Sequence, residues 1–270
     1  MRMEELIDYD AEFKKYFEQW YEKEKNNYQK VEEVEEELPR LYEQWASMQN
    51  KRLEQMKAQR LVDLLDAYTR SGMQVPDIVC RALVDRRQET EPLLIKLYRG
   101  NMFGEAMQVL LINLLSEMNS AEPVRDFAEL IALSSGEGEV VNAASEALMA
   151  ISCPCTDELL RAYAKAESIG ARELLMNAIV SKGRDDRIYA LISRLYQDSP
   201  NKAFVAAMMG ECGDERCLKD LYEAEKSPQI NYIDYTEICN AIECLGGETQ
   251  RERVFENDPY YEMMSQEQPD

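Results

Sequence analysis

The stretch MMGECGDERCLKDL, residues 208–221, decides the fold of this chain. Gly213 suits the end of one helix because glycine tolerates a positive φ, and Asp214 suits the start of the next because its carboxylate accepts hydrogen bonds from free backbone N–H groups. A looser copy, GRDDRI at 183–188, begins thirty residues before Gly213. This recurrence predicts two successive junctions between helices, placed in register along the chain.

An apolar pattern at positions x, x+3 and x+4 recurs in phase with these junctions. Its six copies begin 33, 30, 36, 28 and 30 residues apart. A period of about 20–50 residues indicates stacked structural repeats. The copies are Leu61/Leu64/Leu65, Leu94/Leu97/Tyr98, Val124/Phe127/Ala128, Leu160/Tyr163/Ala164, Ile188/Leu191/Ile192 and Leu218/Leu221/Tyr222.

Each repeat is long enough for a pair of helices. The second helices carry a small residue before a large one, as in Ala147-Leu148 and Ala241-Ile242, which would let neighbouring helices approach closely. We predict an all-α fold, a right-handed α-α superhelix or solenoid of about six helix pairs preceded by a helical segment. The second helices are expected over 75–87, 103–118, 137–151, 170–182, 200–211 and 231–245.

The junction at 208–221 resembles the linker of short bacterial HEAT-like repeats of the PBS lyase type. Those linkers often read leucine, glycine, then Gly-Asp-x-Arg-Ala-hydrophobic-x-x-Leu, and residues 184–188 match the pattern more loosely. The resemblance covers about residues 61–247 and is strongest in the last three repeats. It implies a HEAT/armadillo-like solenoid, although such a fold does not by itself imply one activity.

Two segments lie outside these repeats. In residues 1–60, aromatic side chains such as Phe13 and Phe17 recur at helical spacing until Pro39 interrupts the pattern, and a second amphipathic run follows. This N-terminal helical segment either caps the first repeat or mediates self-association. The acidic C-terminal tail, residues 248–270, is expected either to cap the last repeat or to be disordered.

Composition excludes several classes of partner. The 270 residues include 52 Asp and Glu against 31 Lys and Arg, a net charge of −21, and no histidine. Nucleic-acid binding depends on basic residues that neutralise phosphates, and anionic membranes repel an acidic surface, so neither partner is expected. The acidic N-terminus shows no signal peptide and no apolar run is long enough to span a bilayer, which predicts a cytoplasmic protein.

No catalytic signature stands out. Without histidine the common general base and the Ser-His-Asp and Cys-His systems are absent. There is also no phosphate-binding glycine-rich loop and no nucleophile elbow. We expect a protein that is not an enzyme and has no cofactor. The resemblance leaves one alternative open, a lyase-type enzyme or enzyme subunit that uses the groove as a small-molecule pocket.

The C-terminal cysteines allow two interpretations. Cys212, Cys217, Cys239 and Cys244 could supply four thiolates to zinc, but their C-x4-C spacing differs from the C-x2-C knuckles of zinc ribbons. Cysteine is also a small apolar residue that is often buried between helices. Burial is the favoured interpretation, and a zinc or redox regulator is the weaker alternative.

Polar residues recur on the second helices, which line the concave face of a helical solenoid. Three of them, Glu146, Asn177 and Asn240, stand directly before the small alanine. We predict that asparagine amides hydrogen-bond to a partner's backbone while carboxylates attract its basic side chains. The alternative is the solvated side of amphipathic helices. The function predicted is a non-catalytic adaptor for a protein or peptide of basic character. The predicted groove residues are Glu139, Asn142, Glu146, Glu173, Asn177, Glu237, Asn240 and Glu243.

Overall fold

The computed structural model describes residues 6–28, 30–100, 103–249 and 253–266, with side chains described as far as Met264. The described residues form helices and connecting turns without any β-strand, which confirms the all-α prediction. The chain comprises two compact units, Met1–Met118 and Asn119–Asp270. The first helix of the predicted repeats starts before residue 61, so the expected boundary after residue 60 lies inside a helix of the first unit.

The first unit contains seven of the α-helices in the described ranges. Aromatic packing organises its beginning, since the ring of Trp45 lies 6.0 Å from that of Tyr9 and 5.4 Å from that of Phe13. The second amphipathic run buries Leu41, Trp45 and Leu53. The helices are α1 (Tyr9–Glu24), α2 (Val31–Glu35), α3 (Leu38–Glu54), α4 (Ala58–Ser71), α5 (Asp77–Asp85), α6 (Arg87–Arg99) and α7 (Glu105–Glu117).

The N-terminal helices are joined to the helices that follow them within this unit. Helix α3 packs against both α1 and α5. The Tyr68 hydroxyl donates to the carbonyl of Ile7 at 2.8 Å. The Arg86 guanidinium donates to the carbonyls of Leu53 and Met56 at 3.3 and 2.5 Å, which satisfies acceptors left free at the end of α3. The aromatic segment is therefore part of the core of the first unit.

The second unit contains nine further α-helices within the described residues. All six predicted second helices are present across the two units, and their observed ends differ from the expected ends by at most two residues. The helices of this unit are α8 (Val124–Ala132), α9 (Glu139–Ala150), α10 (Thr156–Lys165), α11 (Ile169–Val180), α12 (Ile188–Asp198), α13 (Lys202–Glu211), α14 (Leu218–Glu225), α15 (Tyr232–Cys244) and α16 (Pro259–Gln266).

Helices α9, α11, α13 and α15 pack side by side in that order, and we refer to them as the second-helix row. Small residues allow the closest of these contacts. A Cβ added to Gly210 of α13 would stand 2.9 Å from the Ala241 Cα of α15, closer than side chains normally approach a backbone. Ala147, Ala178 and Ala241 are all buried, as their position before a large residue predicts.

The junctions that identified the repeats have the expected local structure. Gly183 and Gly213 have φ values of 101° and 66°. The Asp185 carboxylate accepts the Arg187 backbone N–H at 2.9 Å, and the next junction repeats this contact with Asp214 and Arg216 at 3.0 Å. Each aspartate also binds the side chain of the arginine two residues later, so one short motif both accepts a backbone N–H in the turn before a helix and positions a cation.

The same two arginines also contact aspartates that lie thirty residues earlier in the chain. The Arg187 guanidinium lies 2.7 Å from the carboxylate of Asp157, thirty residues earlier. Arg216 reaches the carboxylate of Asp186, again thirty residues earlier, at 3.8 Å. These pairs are exposed, so they align the junctions more than they stabilise the unit.

The described part of the C-terminal tail packs on α15. Phe255 is buried against Tyr235 and Cys239, with ring centroids 5.0 Å apart between Phe255 and Tyr235. The Asp258 carboxylate accepts the Tyr232 backbone N–H at 2.9 Å, which satisfies a donor at the start of α15. The tail thus covers apolar surface at the end of the second-helix row.

Candidate functional site

All eight predicted groove residues lie on α9, α11 and α15, and we call the exposed side of these helices the exposed face of the second-helix row. Glu139, Asn142 and Glu146 are exposed and follow each other at intervals of three and four along α9, so they share one side of that helix. Asn177 of α11 is half-buried and Asn240 of α15 is exposed. The structure therefore places these five residues on the row, each beside positions that are buried in it.

Glu173 does not belong to this face. Its side chain is buried, with 6% of its surface exposed. One carboxylate oxygen accepts the Ser199 hydroxyl and the other accepts the Asn201 amide, at 3.0 Å for the latter. The prediction that Glu173 lines a groove is wrong, because the loop between α12 and α13 folds over it and supplies both donors. Glu173 positions that loop.

Other predicted residues make contacts within the protein. The Asn177 amide donates to the sulfur of Met149 at 3.1 Å, which joins α11 to α9 at the level of the exposed face. The Glu243 carboxylate accepts the Thr249 hydroxyl at 2.9 Å, after the end of α15. Glu237 is half-buried. The exposed members of the predicted set are Glu139, Asn142, Glu146, Asn240 and Glu243.

The exposed side of α13 differs from its neighbours. Phe204 and Glu211 are exposed there, seven residues apart, with half-buried Ala207 between them. Nearby, the Lys182 ammonium donates to the carbonyls of Met149 and Ile151 at 3.1 and 2.6 Å. That lysine therefore provides a hydrogen-bond donor to carbonyl groups at the end of α9. The face combines carboxylates, amides and one exposed aromatic ring.

The four C-terminal cysteines are not gathered into one site. The sulfurs of Cys212 and Cys217 lie 3.8 Å apart in the interior. The contact between the two thiols lowers the pKa of Cys212 and raises the pKa of Cys217. Cys239 is buried near Glu225, at 4.0 Å, while Cys244 is exposed. Within the described ranges, no three Cys, Asp or Glu side chains are arranged to hold a metal ion, so the zinc alternative lacks an assembled ligand set.

A cavity of about 670 Å³ opens between α10 and α12 and is lined by four arginines, Arg161, Arg172, Arg187 and Arg194. The sequence interpretation missed it, because these residues come from three helices of an acidic region. The available signal was weak: Arg187 and Arg194 are seven residues apart, beside one face of α12, and Arg161 precedes them by about one repeat. This cavity is separate from the predicted groove residues, none of which lines it.

Comparisons with protein-family models, with curated proteins and with solved structures find no match to this chain. In the part of the chain that the structure describes, every helix is too short or too polar to cross a bilayer. The helical pairing and the two surfaces described above are accordingly the basis for a functional proposal.

Proposed function

We propose that this protein is a non-catalytic interaction scaffold of the HEAT-like repeat type, which binds a basic segment of a partner polypeptide on the exposed face of the second-helix row. The repeated junctions at Gly183 and Gly213, with their matched aspartate caps, support the repeat assignment. Repeats that pack in a row present an extended surface, and such surfaces commonly bind polypeptides.

The observation that carries the proposal is the exposure of the predicted carboxylates and amides on helices of the row. Exposed carboxylates of Glu139 and Glu146 flank the Asn142 amide on α9, and the Asn177 and Asn240 amides follow on α11 and α15. Amides of this kind donate to and accept from a peptide backbone, whatever its sequence. Carboxylates select Lys and Arg side chains through charge-assisted hydrogen bonds.

The charge of the chain adds a long-range contribution. Residues 121–250 include 23 acidic and 12 basic side chains, so a basic partner is attracted before contact is made. This attraction operates over roughly 10 Å at 0.1 M ionic strength and weakens as salt is added. Binding by the proposed face should therefore be faster and tighter at low salt.

The test is a binding measurement against an arrayed library of Lys- and Arg-rich peptides and charge-reversed counterparts. We expect basic peptides to bind the wild type, with an affinity that falls as salt is raised. The variant Glu146→Lys/Asn177→Ala/Asn240→Ala should weaken binding by about tenfold or more, because it reverses one charge and removes two amides.

The matched control is Glu223→Lys, which reverses an exposed glutamate on α14, outside the second-helix row. Both variants should keep the helical circular dichroism of the wild type. Equal binding of basic and charge-reversed peptides, or equal losses in the triple variant and in the control, contradicts the proposal.

A further inference from the structure

The cavity between α10 and α12 has a charge that is unusual for this molecule. Four arginines and two aspartates, Asp157 and Asp198, line it, whereas the chain as a whole carries −21. A concave site that concentrates arginine attracts anions, because its walls exclude part of the solvent that would screen the charge. The excess of positive charge in this cavity therefore indicates an anionic ligand.

Two of the arginines that line the cavity are engaged in exposed ion pairs within the protein. Arg187 binds Asp157 at 2.7 Å across the two helices and also binds Asp185 at 2.6 Å. With both neighbours engaged, the charge of Arg187 is largely neutralised. Arg161 is exposed and pairs with Glu158 at 3.3 Å, one turn away on its own helix. Both arginines thus have carboxylate partners at 3.3 Å or less, so the cationic character of the cavity depends mainly on the other two arginines.

The other two arginines that line the cavity are Arg172 and Arg194. The Arg172 Nε donates to the carbonyl of Ala166 at 2.9 Å, which fixes a half-buried guanidinium while its two Nη groups are not used in that bond. Among the described residues no carboxylate forms an ion pair with Arg172. Arg194 is mostly exposed and pairs with Asp198 at 3.6 Å, longer than the other pairs in this cavity.

The phenol of Tyr163 also lines the cavity. The Tyr163 hydroxyl donates to the carbonyl of Leu191 at 3.5 Å, so it joins α10 to α12 at the cavity wall. Burial raises the pKa of Tyr163, and the positive charges of Arg172 and Arg194 oppose that rise. Both guanidinium groups and this hydroxyl line the same cavity, so an anionic group bound there would be attracted by two cations.

Apolar side chains form the rest of the wall. Leu160 and Ala164 of α10, Ile169 of α11 and Leu191 of α12 all line the cavity. At about 670 Å³ the volume falls within the range of small-molecule sites, about 300–1,000 Å³. Such a site favours a ligand that has an apolar body and one charged group at its end.

We propose that this cavity binds a small organic anion whose carboxylate or phosphate group meets Arg172 and Arg194 and whose apolar body lies on Leu160, Ile169 and Leu191. The site goes beyond the scaffold function, since it uses other residues and does not depend on a polypeptide partner. A bare inorganic anion lacks the apolar contact, and an uncharged apolar molecule leaves the half-buried guanidinium without a counter-charge.

The test uses four probes in calorimetric titrations of the full chain: 1-naphthylacetate, 1-naphthyl phosphate, neutral 1-naphthylacetamide and inorganic phosphate. We expect at least one of the two naphthyl anions to bind. The amide has nearly the same body without the charge and should bind at least tenfold more weakly, as should inorganic phosphate. Raised salt should weaken the naphthyl anions and leave the amide unchanged.

Two cavity variants and one control complete the test. Arg172→Gln should weaken the anions at least tenfold, because it removes a charge-assisted donor. Ala164→Phe fills the cavity from an exposed position on α10 and should abolish binding while the charges stay in place. Arg125→Gln removes an exposed arginine of α8 that pairs with Glu129 and does not line the cavity, and should bind as the wild type does.

The proposal is overturned if neither naphthyl anion binds, if the amide binds as tightly as the anions, or if Arg125→Gln weakens binding as much as Arg172→Gln. If Arg172→Gln does not fold, Arg194→Gln replaces it, since Arg194 is an exposed residue on α12. Undiminished anion binding by a folded Ala164→Phe variant likewise places the ligand elsewhere and refutes the site.

Discussion

Substitution of Gly210 by alanine sets two known effects against each other. Alanine is the better helix former, and in a solvent-exposed helix the change stabilises by about 1 kcal/mol. Gly210, however, is buried in α13 where this helix meets α15. The added Cβ would stand 2.9 Å from the Ala241 Cα and 3.2 Å from its Cβ. Helix propensity therefore predicts that the substitution raises the free energy of unfolding, and packing predicts that it lowers it.

The size of the packing effect follows from those distances. An ordinary carbon–carbon contact is about 3.5–4.0 Å, so α13 and α15 would have to move apart by roughly 0.6 Å or more. The Ala241 Cα belongs to the backbone and cannot turn aside. Separation would loosen the buried contacts of Met209 and Ile242. Overpacking of this kind costs about 1–3 kcal/mol, and we expect a net loss of up to about 2 kcal/mol after the gain of about 1 kcal/mol in propensity.

Thermal and urea unfolding followed by circular dichroism measure this loss. For a unit of this size each kcal/mol corresponds to about 2–4 °C, so Tm should fall by several degrees. Ala207→Gly in the same helix is the control, and its loss of about 1 kcal/mol measures the local propensity. If Gly210→Ala is more stable than the wild type, the close approach of α13 to α15 does not exist and the reasoning fails.

Three further predictions test single contacts. Glu173→Ala leaves two donors of the α12–α13 loop without their acceptor and should cost about 2 kcal/mol in urea unfolding; an unchanged midpoint contradicts the assigned hydrogen bonds. Phe255→Ala empties the aromatic cluster over α15, should cost about 3 kcal/mol and should speed proteolysis of the tail, whereas equal cleavage rates would show that the tail does not pack there. Hydrogen bonds from Arg187 lower the pKa of Asp185 to about 2, below its unfolded value of about 4, so the stabilisation is complete above about pH 4 and is lost as the pH falls towards 2. Asp185→Asn should make Tm depend less on pH between these values. An equally steep decline of Tm in the variant would assign the acid sensitivity to other groups.

The junctions could be predicted because their chemistry is local. Gly213, Asp214 and Arg216 lie within four residues, and the cap, the turn and the ion pair they form need no distant partner. The apolar spacing then located the helix pairs to within two residues, since burial of one face follows directly from helical periodicity. Local signals that agree with one another are the ones that sequence reasoning uses best.

The candidate sites were harder to predict from the sequence, because they depend on residues that lie far apart along the chain. The donors to Glu173 are 26 and 28 residues away, so its helical position resembles that of an exposed groove residue until the loop is seen. The arginine cavity combines three helices, and in an acidic stretch each arginine taken singly suggests only a surface ion pair. Charge and periodicity identified the exposed face of the row, but not which polar side chains the protein uses internally.

The aromatic cluster at the start of the chain provides an intrinsic fluorescence probe. Trp20 and Trp45 are the two tryptophans of the chain, and both belong to the first unit, where Trp45 is buried and Trp20 is half-buried. Light at the red edge of the absorption band, where tyrosine absorbs little, therefore excites that unit alone. Emission would follow the melting of one unit while ellipticity follows both. A single unmodified sample thus reports whether the two units lose their structure together or in turn.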